Sequence, residues 1–178
     1  MMNSMGPALV RMARDCIAED APALGGDTTG TVAEDGAGTD TGLLTITDTD
    51  AGEGVFNAQA GAASANGYGT VDLDAAGNWT YTLDNANATV QALSGGETLA
   101  DNFTAVSADV TTQVVTITIT GTNDAPVIGG DFAGAVTEDS SLTDSGTLTI
   151  TDTDAGEGVF TAQAGAASAN GYGTVDLD

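Results

Sequence analysis

The sequence has almost no positive charge. Its two basic residues, Arg11 and Arg14, both precede Asp20, and there is no histidine, whereas 26 residues are acidic and the formal net charge is −24. From Asp20 onward no salt bridge can form, so the carboxylates must face water or bind counter-cations to relieve their mutual repulsion. The same imbalance argues against a nucleic-acid partner, because phosphate binding depends on lysine and arginine, and against an anionic membrane.

Cysteine and aromatic residues are also scarce. Cys16 is the only cysteine, which excludes an internal disulfide and a thiolate metal site in the rest of the chain. The apolar stretch at residues 7–10 is cut by the arginines and is too short for a signal-peptide core or a membrane span, so we expect no membrane insertion. Residues 1–20 are therefore interpreted as a leader without an assigned function.

One long stretch of the sequence occurs twice. Residues 44–74 and 148–178 are identical except for Asn57 against Thr161, and their first residues, Leu44 and Leu148, lie 104 positions apart. A period of this length equals the size of a small domain, so each copy is expected to fold by itself. The sequence predicts a leader (1–20), one complete repeat (21–125) and the first half of a second, truncated repeat (126–178).

Short alternating segments with turn residues between them predict an all-β fold. Seven strands are expected in the complete repeat, at 28–33, 43–47, 55–60, 68–73, 79–83, 98–107 and 113–120, with a helical turn at 88–93. This pattern indicates tandem antiparallel β-sandwiches of immunoglobulin-like architecture. Trp79 is predicted to anchor the core, and the threonines at 116, 118 and 120 to form a solvated strand face.

An odd number of strands places the two termini of a repeat at opposite poles, so acidic turns of successive repeats should meet at the linker. The residues expected at this inter-repeat junction are Glu34, Asp35, Asp84, Asn123, Asp124, Asp152, Asp154 and Glu157. The first repeat has an equivalent cluster at its N-terminal pole, formed by Asp48, Asp50 and Glu53. An all-oxygen ligand set favours Ca²⁺, whereas Zn²⁺ would call for histidine or cysteine.

Several motifs together resemble a known family. L-T-I-T-D-T-D-A-G-E, Y-G-T-V-D-L-D-A-A-G-N-W-T-Y-T-L-D-N, V-Q-A-L-S-G-G-E-T-L-A-D-N-F and V-V-T-I-T-I-T-G-T-N-D-A-P-V look like the VCBS-type, cadherin-like repeat of large bacterial secreted adhesins of the RTX type. The resemblance covers about residues 20–178. It implies a cadherin-like extender domain in a secreted or surface protein that is exported by type I secretion.

The junction resembles that of cadherin, with two departures. Asn123-Asp124-Ala125-Pro126 is similar to the cadherin linker, and Leu83-Asp84 to the start of its L-D-R-E, but Asn85 and Ala86 replace R-E and remove one acidic ligand. Asp109-Val110 stands where the family often has Asp-Gly. Because a β-branched residue resists positive φ, we expect this turn to be open or differently built.

These features predict a structural extender repeat of a secreted or surface-anchored bacterial adhesin, rigidified by Ca²⁺ and supporting cell adhesion or biofilm formation. Its expected partners are neighbouring repeats of the same chain, with cell-surface or matrix glycans contacted through other domains. An alternative is a carbohydrate- or surface-binding module, in which Trp79 and Tyr81 would stack on sugars. A hydrolase using paired carboxylates such as Asp72 and Asp74 lacks a nucleophile constellation, so no enzymatic activity is expected.

Overall fold

The computed structural model describes residues 20–50 and 52–178. In the first repeat the described elements are β1 (Ala23–Gly26), β2 (Thr29–Ala33), β3 (Thr39–Thr47), β4 (Gln59–Ala63), β5 (Gly69–Leu73), β6 (Asn78–Leu83), α1 (Ala88–Gln91), β7 (Thr98–Val106) and β8 (Thr112–Thr120). The following residues form β9 (Val127–Gly130), β10 (Leu148–Thr151), β11 (Gln163–Ala167) and β12 (Thr174–Leu177). The prediction for the leader falls almost wholly outside the described residues. Within them, no helix has the length and apolar character needed to cross a membrane.

The first repeat is a two-sheet sandwich, which confirms the predicted fold class. One sheet has the antiparallel order β1-β3-β6-β5-β4, and the other has the order β2-β8-β7. In the second sheet β7 and β8 pair antiparallel over nine residue pairs, while β2 and β8 run parallel. The C-terminal ends of β2 and β8 therefore meet at the same pole.

The first strand of the repeat crosses between the two sheets, which the sequence analysis missed. Its N-terminal part, β1, pairs with β3, and its C-terminal part, β2, pairs with β8. Gly26 lies at the crossing with φ +94°, and a Cβ there would stand 2.3 Å from the carbonyl oxygen of Leu43. The amide of Asp27 donates to the carbonyl of Leu43 at 2.9 Å, and the carboxylate of Asp27 accepts from the amide of Leu43 at 3.1 Å. A glycine is required here for steric reasons.

The core lies between the sheets, as the strand alternation predicts. Trp79 is 2% exposed and packs edge-on against Phe103, with 5.8 Å between ring centroids. The side chains of Val115, Ile117 and Ile119 are fully buried, whereas the threonines between them are exposed. The role of the tryptophan as a core residue is confirmed, and so is the solvated face at Thr116 and Thr118, whereas Thr120 is half-buried.

One buried polar pair connects the two sheets. The hydroxyl of Tyr81, on β6, donates to the carboxylate of Asp101, on β7, at 2.8 Å, and both side chains are almost completely buried. The other carboxylate oxygen of Asp101 accepts from the amides of Asn66 and Asn102. Burial and the adjacent carboxylate raise the pKa of Tyr81 above its ordinary value, because both disfavour a phenolate.

The strand predicted at 55–60 begins later in the structure, as β4 at Gln59. The segment 55–58 contacts the opposite sheet, since Phe56 forms an isolated bridge with Ser107 and Asn57 donates its amide to the carbonyl of Val106 at 2.8 Å. Strand β4 starts only at Gln59, and its register to β5 shifts at Gly61, where φ is +57°. Local alternation cannot reveal such a crossing, because it depends on a partner about 50 residues away.

The turn between β7 and β8, which we expected to be open or differently built, is closed. Val110 adopts φ +65° at its tip, and its amide donates to the carbonyl of Ser107 at 3.1 Å. The carboxylate of Asp109 accepts from the hydroxyl of Ser107 and from the amide of Thr111. These bonds hold a β-branched residue in a conformation that it otherwise resists.

The second copy reproduces part of this arrangement. β9 and β10 pair in the register of β1 and β3, and β11 and β12 in that of β4 and β5. The two pairs are separate two-stranded sheets. The segment 132–137, which was expected to be a strand, forms only an isolated bridge between Thr137 and Ser141, because no described strand takes the place that β8 has beside β2. The domain boundaries proposed above stay a prediction.

Candidate metal centre

Glu34 is the central carboxylate of the C-terminal pole of the first repeat. It follows β2, and its amide donates to the carbonyl of Thr120 at the end of β8. Its side chain is 0% exposed. One carboxylate oxygen accepts from the Gln91 side-chain amide and the other from the Thr122 backbone amide, each at 3.0 Å. These donors are neutral, so they orient the carboxylate without balancing its charge.

Asp35 lies next to it in a left-handed conformation, with φ +50°. The side chain of Asn85 accepts from the Asp35 amide at 3.0 Å and donates to the Asp35 carboxylate at 2.6 Å. Gln91 adds a longer contact of 3.4 Å to the same carboxylate oxygen. Gln91 lies on α1, a short helix whose N-cap is Asn87, and the side chain of Asn87 accepts from the amide of Thr89.

Three carboxylates converge at this pole. Glu34, Asp35 and Asp124 each place one oxygen within 4.8 Å of the others. Asp124 also connects the cluster to the next repeat, since its amide donates to the carboxylate of Asp154 at 2.9 Å. Asp154 is 2% exposed, and its amide in turn donates to Asp152 at 3.0 Å.

Two oxygens on the second-repeat side of the junction are buried without a hydrogen-bond partner. They are Oδ1 of Asp154 and Oδ2 of Asp152. A buried carboxylate oxygen without a partner is costly unless a cation neutralises it. Every charged residue from Asp20 onward is acidic, so the described residues cannot provide that cation. The chemistry of the junction therefore fits a hard, oxygen-seeking metal ion.

A backbone contact also joins the repeats at the junction. The amide of Ala155 donates to the carbonyl of Ala92, just after α1, at 3.1 Å. The helical turn that places Gln91 beside the acidic cluster thus also contacts the acidic turn of the second repeat. We conclude that the geometry of the cluster and the contact between repeats depend on the same short element.

The N-terminal pole of the first repeat carries the corresponding turn. Asp48, Asp50 and Glu53 each place one oxygen within 4.8 Å of the others. The amide of Asp50 donates to Asp48 at 2.7 Å, and the amide of Asp20 donates to Asp50 at 3.2 Å. The same two hydrogen bonds occur at the junction, where the amide of Asp154 donates to Asp152 and the amide of Asp124 donates to Asp154. Oδ2 of Asp48 is buried without a hydrogen-bond partner.

Five predicted junction ligands lie outside the cluster of Glu34, Asp35 and Asp124. Two of them, Asp152 and Asp154, are connected to Asp124 by hydrogen bonds, and the other three are Asp84, Asn123 and Glu157. Asp84 accepts from the amide of Ala86 at 3.1 Å and starts the loop that leads to α1. The side chain of Asn123 donates to the carbonyl of Asp124. Glu157 is exposed. Their role in binding a metal stays a prediction.

Two polar contacts of the cluster were missed by the sequence analysis. Gln91 was assigned only to a helical turn, and Thr122 only to the linker. Both act through contacts to Glu34, which is 57 residues from Gln91 and 88 residues from Thr122 in sequence. The local sequence marks neither residue as a contact of an acidic cluster. Asn85, by contrast, was identified from the sequence because it replaces a residue of an acidic motif.

The chain was also compared with sequence models of known protein families. The sequence model of the bacterial cadherin-like domain matches residues 19–121. The chain belongs to the bacterial cadherin-like domain family. Cadherin-like domains of this kind are non-catalytic modules and are typical of surface and secreted proteins. A comparison with curated proteins finds no match.

The alternative of a sugar-binding face is not favoured by this cadherin-like fold. Trp79 and Tyr81, which would have to stack on a sugar, are 2% and 0% exposed. The paired carboxylates of Asp72 and Asp74 serve local backbone structure, since Asp72 accepts from Gly61 and Asp74 from Ala76. The acidic clusters at the poles are therefore the features that call for a functional explanation.

Proposed function

We propose that this cadherin-like domain is an extender repeat of a secreted or surface-anchored bacterial adhesin, and that Ca²⁺ rigidifies its inter-repeat junction. The observation that carries the proposal is the junction itself. A fully buried Glu34 lies beside Asp35 and Asp124, and the next repeat adds the buried Asp154 with an oxygen that lacks a partner. A cation held by Glu34, Asp35 and Asp124 would bind the same linker residue, Asp124, whose amide donates to Asp154 of the second copy.

The donor set supports Ca²⁺ as this ion. All candidate ligands are oxygens, and Ca²⁺ accepts six to eight of them in flexible geometry. Glu34, Asp35 and Asp124 would supply the first-repeat and linker ligands, and Asp152 and Asp154 those of the second repeat. The bound ion would offset the repulsion within the cluster and reinforce the hydrogen bonds that join the first repeat to the second copy.

The expected stabilisation is moderate. Calcium modules of extracellular proteins typically bind with Kd values of about 10⁻⁴–10⁻³ M. At 10 mM Ca²⁺, an ion that binds only the folded state would add about 1.4–2.7 kcal/mol to the free energy of unfolding by mass action.

Calorimetric titration of Ca²⁺ into the chain tests the proposal. We expect saturable binding that is weakened at least tenfold by Asp124→Ala and unchanged by Asp176→Ala, an exposed carboxylate on β12. Small-angle scattering should show a longer, straighter particle with Ca²⁺ than with chelator. Absence of binding heat, or equal effects of the two substitutions, would contradict the assignment.

Adhesion, biofilm formation and export remain part of the proposal. A spacer gains reach from repetition, and the near-identity of residues 44–74 and 148–178 supports that role. The partners that we propose are neighbouring repeats, with surface or matrix glycans contacted through other domains. The acidic surface of the chain gives no support for nucleic-acid binding or membrane insertion.

A further inference from the structure

The side chain of Gln91 joins two acidic residues of the candidate metal centre. Its amide nitrogen donates to Oε1 of Glu34 at 3.0 Å and to Oδ1 of Asp35 at 3.4 Å. One NH₂ group therefore fixes the spacing of two carboxylates that repel each other. Because the amide has no formal charge, it orients the carboxylates and leaves their negative charge for a cation to balance.

The backbone of Gln91 is itself held in place. Its amide donates to the carbonyl of Asn87, the N-cap of α1, at 3.0 Å. The preceding residue, Val90, is 0% exposed and belongs to the core of the first repeat. A side chain on a backbone that is anchored in this way restricts the carboxylates with which it forms hydrogen bonds.

The residue after Gln91 contacts the second copy. The carbonyl of Ala92 accepts from the amide of Ala155 at 3.1 Å. Ala155 follows Asp154, whose carboxylate accepts from the amide of Asp124 at 2.9 Å and whose Oδ1 is buried without a hydrogen-bond partner. Two successive residues of the first repeat thus contact the acidic cluster and the second copy. A shift of the carboxylates against Gln91 would act on the contact to Ala155 through a single peptide unit.

We infer that Gln91 is a positioning residue of the metal centre, which holds Glu34 and Asp35 in place for Ca²⁺ and couples ion binding to the contact between Ala92 and Ala155. This inference rests on the proposed function, because it concerns the same ion. Groups that orient metal-binding side chains by hydrogen bonds typically change metal affinity about 10–100-fold when they are removed. The chain has no lysine, arginine or histidine after Asp20, so a neutral amide has this role here.

Calorimetric titration of Ca²⁺ into the full chain with Gln91→Met tests the positioning. Methionine is similar in length and is a good helix former, but it has no N–H donor. We expect its Kd to be about 10–100-fold higher than that of the parent. The matched control is Gln113→Met on β8, since Gln113 is also half-buried and donates its side-chain amide to the carbonyl of Val114 at 2.9 Å. This control should bind Ca²⁺ like the parent.

A second variant separates positioning from a purely structural role. In Gln91→Lys an ammonium group can donate to the same two carboxylates and neutralise one of their charges. We expect a higher melting temperature in chelator but weaker Ca²⁺ binding than in the parent. A residue that only packs against its neighbours would not produce these opposite effects.

Hydrogen exchange of the Ala155 amide, measured by NMR, tests the coupling. Ca²⁺ should slow this exchange in the parent, and Gln91→Met should remove most of that effect when both proteins are saturated with the ion. The reason is that ion binding and the contact favour each other reciprocally only while Gln91 links them.

The results for the parent and for the variants distinguish the two proposals. If the parent binds Ca²⁺ and both methionine variants bind it equally well, the inference is overturned and the proposed function stands. Tighter binding by Gln91→Met would also overturn the inference, because the amide would then compete with the ion. An unchanged effect of Ca²⁺ on Ala155 in that variant would overturn the coupling. Absence of binding by the parent would overturn the proposed function and this inference with it.

Discussion

The substitution Glu34→Gln should stabilise the first repeat in chelator, and this advantage should shrink or reverse in Ca²⁺. Glu34 is 0% exposed and has carboxylate oxygens of Asp35 and Asp124 within 4.8 Å. At that separation two unit charges repel by about 0.9 kcal/mol in water and about 3.5 kcal/mol at an effective dielectric constant of 20. Because Asp35 is exposed and Asp124 is half-buried, we take the repulsion of each with Glu34 as about 1–2 kcal/mol, between these two limits.

In chelator, the neutral glutamine removes two such repulsions. It also loses one of the two side-chain hydrogen bonds of Glu34, which costs about 1–1.5 kcal/mol, so the variant should be more stable by about 0.5–3 kcal/mol. In 10 mM Ca²⁺, the parent gains about 1.4–2.7 kcal/mol if Kd lies in the usual extracellular range. The variant loses a ligand, so its advantage should shrink or reverse.

Urea unfolding followed by tryptophan fluorescence measures this directly. Trp79 is the only tryptophan of the sequence and is buried in the first repeat, so the signal reports on the domain that contains Glu34. The matched control is Glu138→Gln, the equivalent position in the second copy, which is exposed. If Glu34→Gln destabilised the domain equally in chelator and in Ca²⁺, Glu34 would be a structural hydrogen-bond acceptor and the metal assignment would fail.

Three further predictions concern the first repeat. Val110→Gly should raise the free energy of unfolding in urea by about 0.5–1 kcal/mol, because glycine adopts φ +65° without strain. A lower stability of this variant would show that the turn is not strained. Tyr81→Phe should lower the free energy of unfolding by about 1–3 kcal/mol in the same assay, since it leaves one buried oxygen of Asp101 without its donor. An unchanged free energy of unfolding would contradict the stabilising role of this pair. The hydrogen bond from Ser107 lowers the pKa of Asp109 below its ordinary value of 3.8. Its charged form therefore stabilises the fold above that pH and loses this effect as the pH falls through the folded-state pKa. Asp109→Ala should thus lower the melting temperature more at pH 7 than at pH 2, and equal losses would argue against a charge-dependent turn.

Much of the fold follows from local sequence. The alternation of residues 113–120 and of 79–83 correctly predicted β8 and β6, because side chains on a strand alternate between core and solvent. The acidic turn also follows from local chemistry, since Asp48 and Asp152 accept from the amides two residues later. Such Asx turns form wherever the sequence places them.

Contacts between distant residues could not be predicted in this way. The crossing of the first strand at Gly26 and the contact of Phe56 with the opposite sheet both depend on partners in other strands. The same holds for Gln91, whose approach to Glu34 follows from where α1 packs. A side-chain amide in a short helical turn carries no sequence signal of its own.

The duplicated segment separates these two contributions. Its copies have nearly the same sequence, and both form the same strand pairs in the same register, so the sequence by itself determined the local strands and turns. Burial differs between them, since Val71 is 0% exposed and Val175 52%, because β6 covers only the first. Conversely, Asp154 is 2% exposed while Asp50, in the same motif, is only half-buried, because Asp154 lies against the pole of the preceding repeat. The contacts that each copy makes within the described residues therefore decide which of these shared side chains are buried.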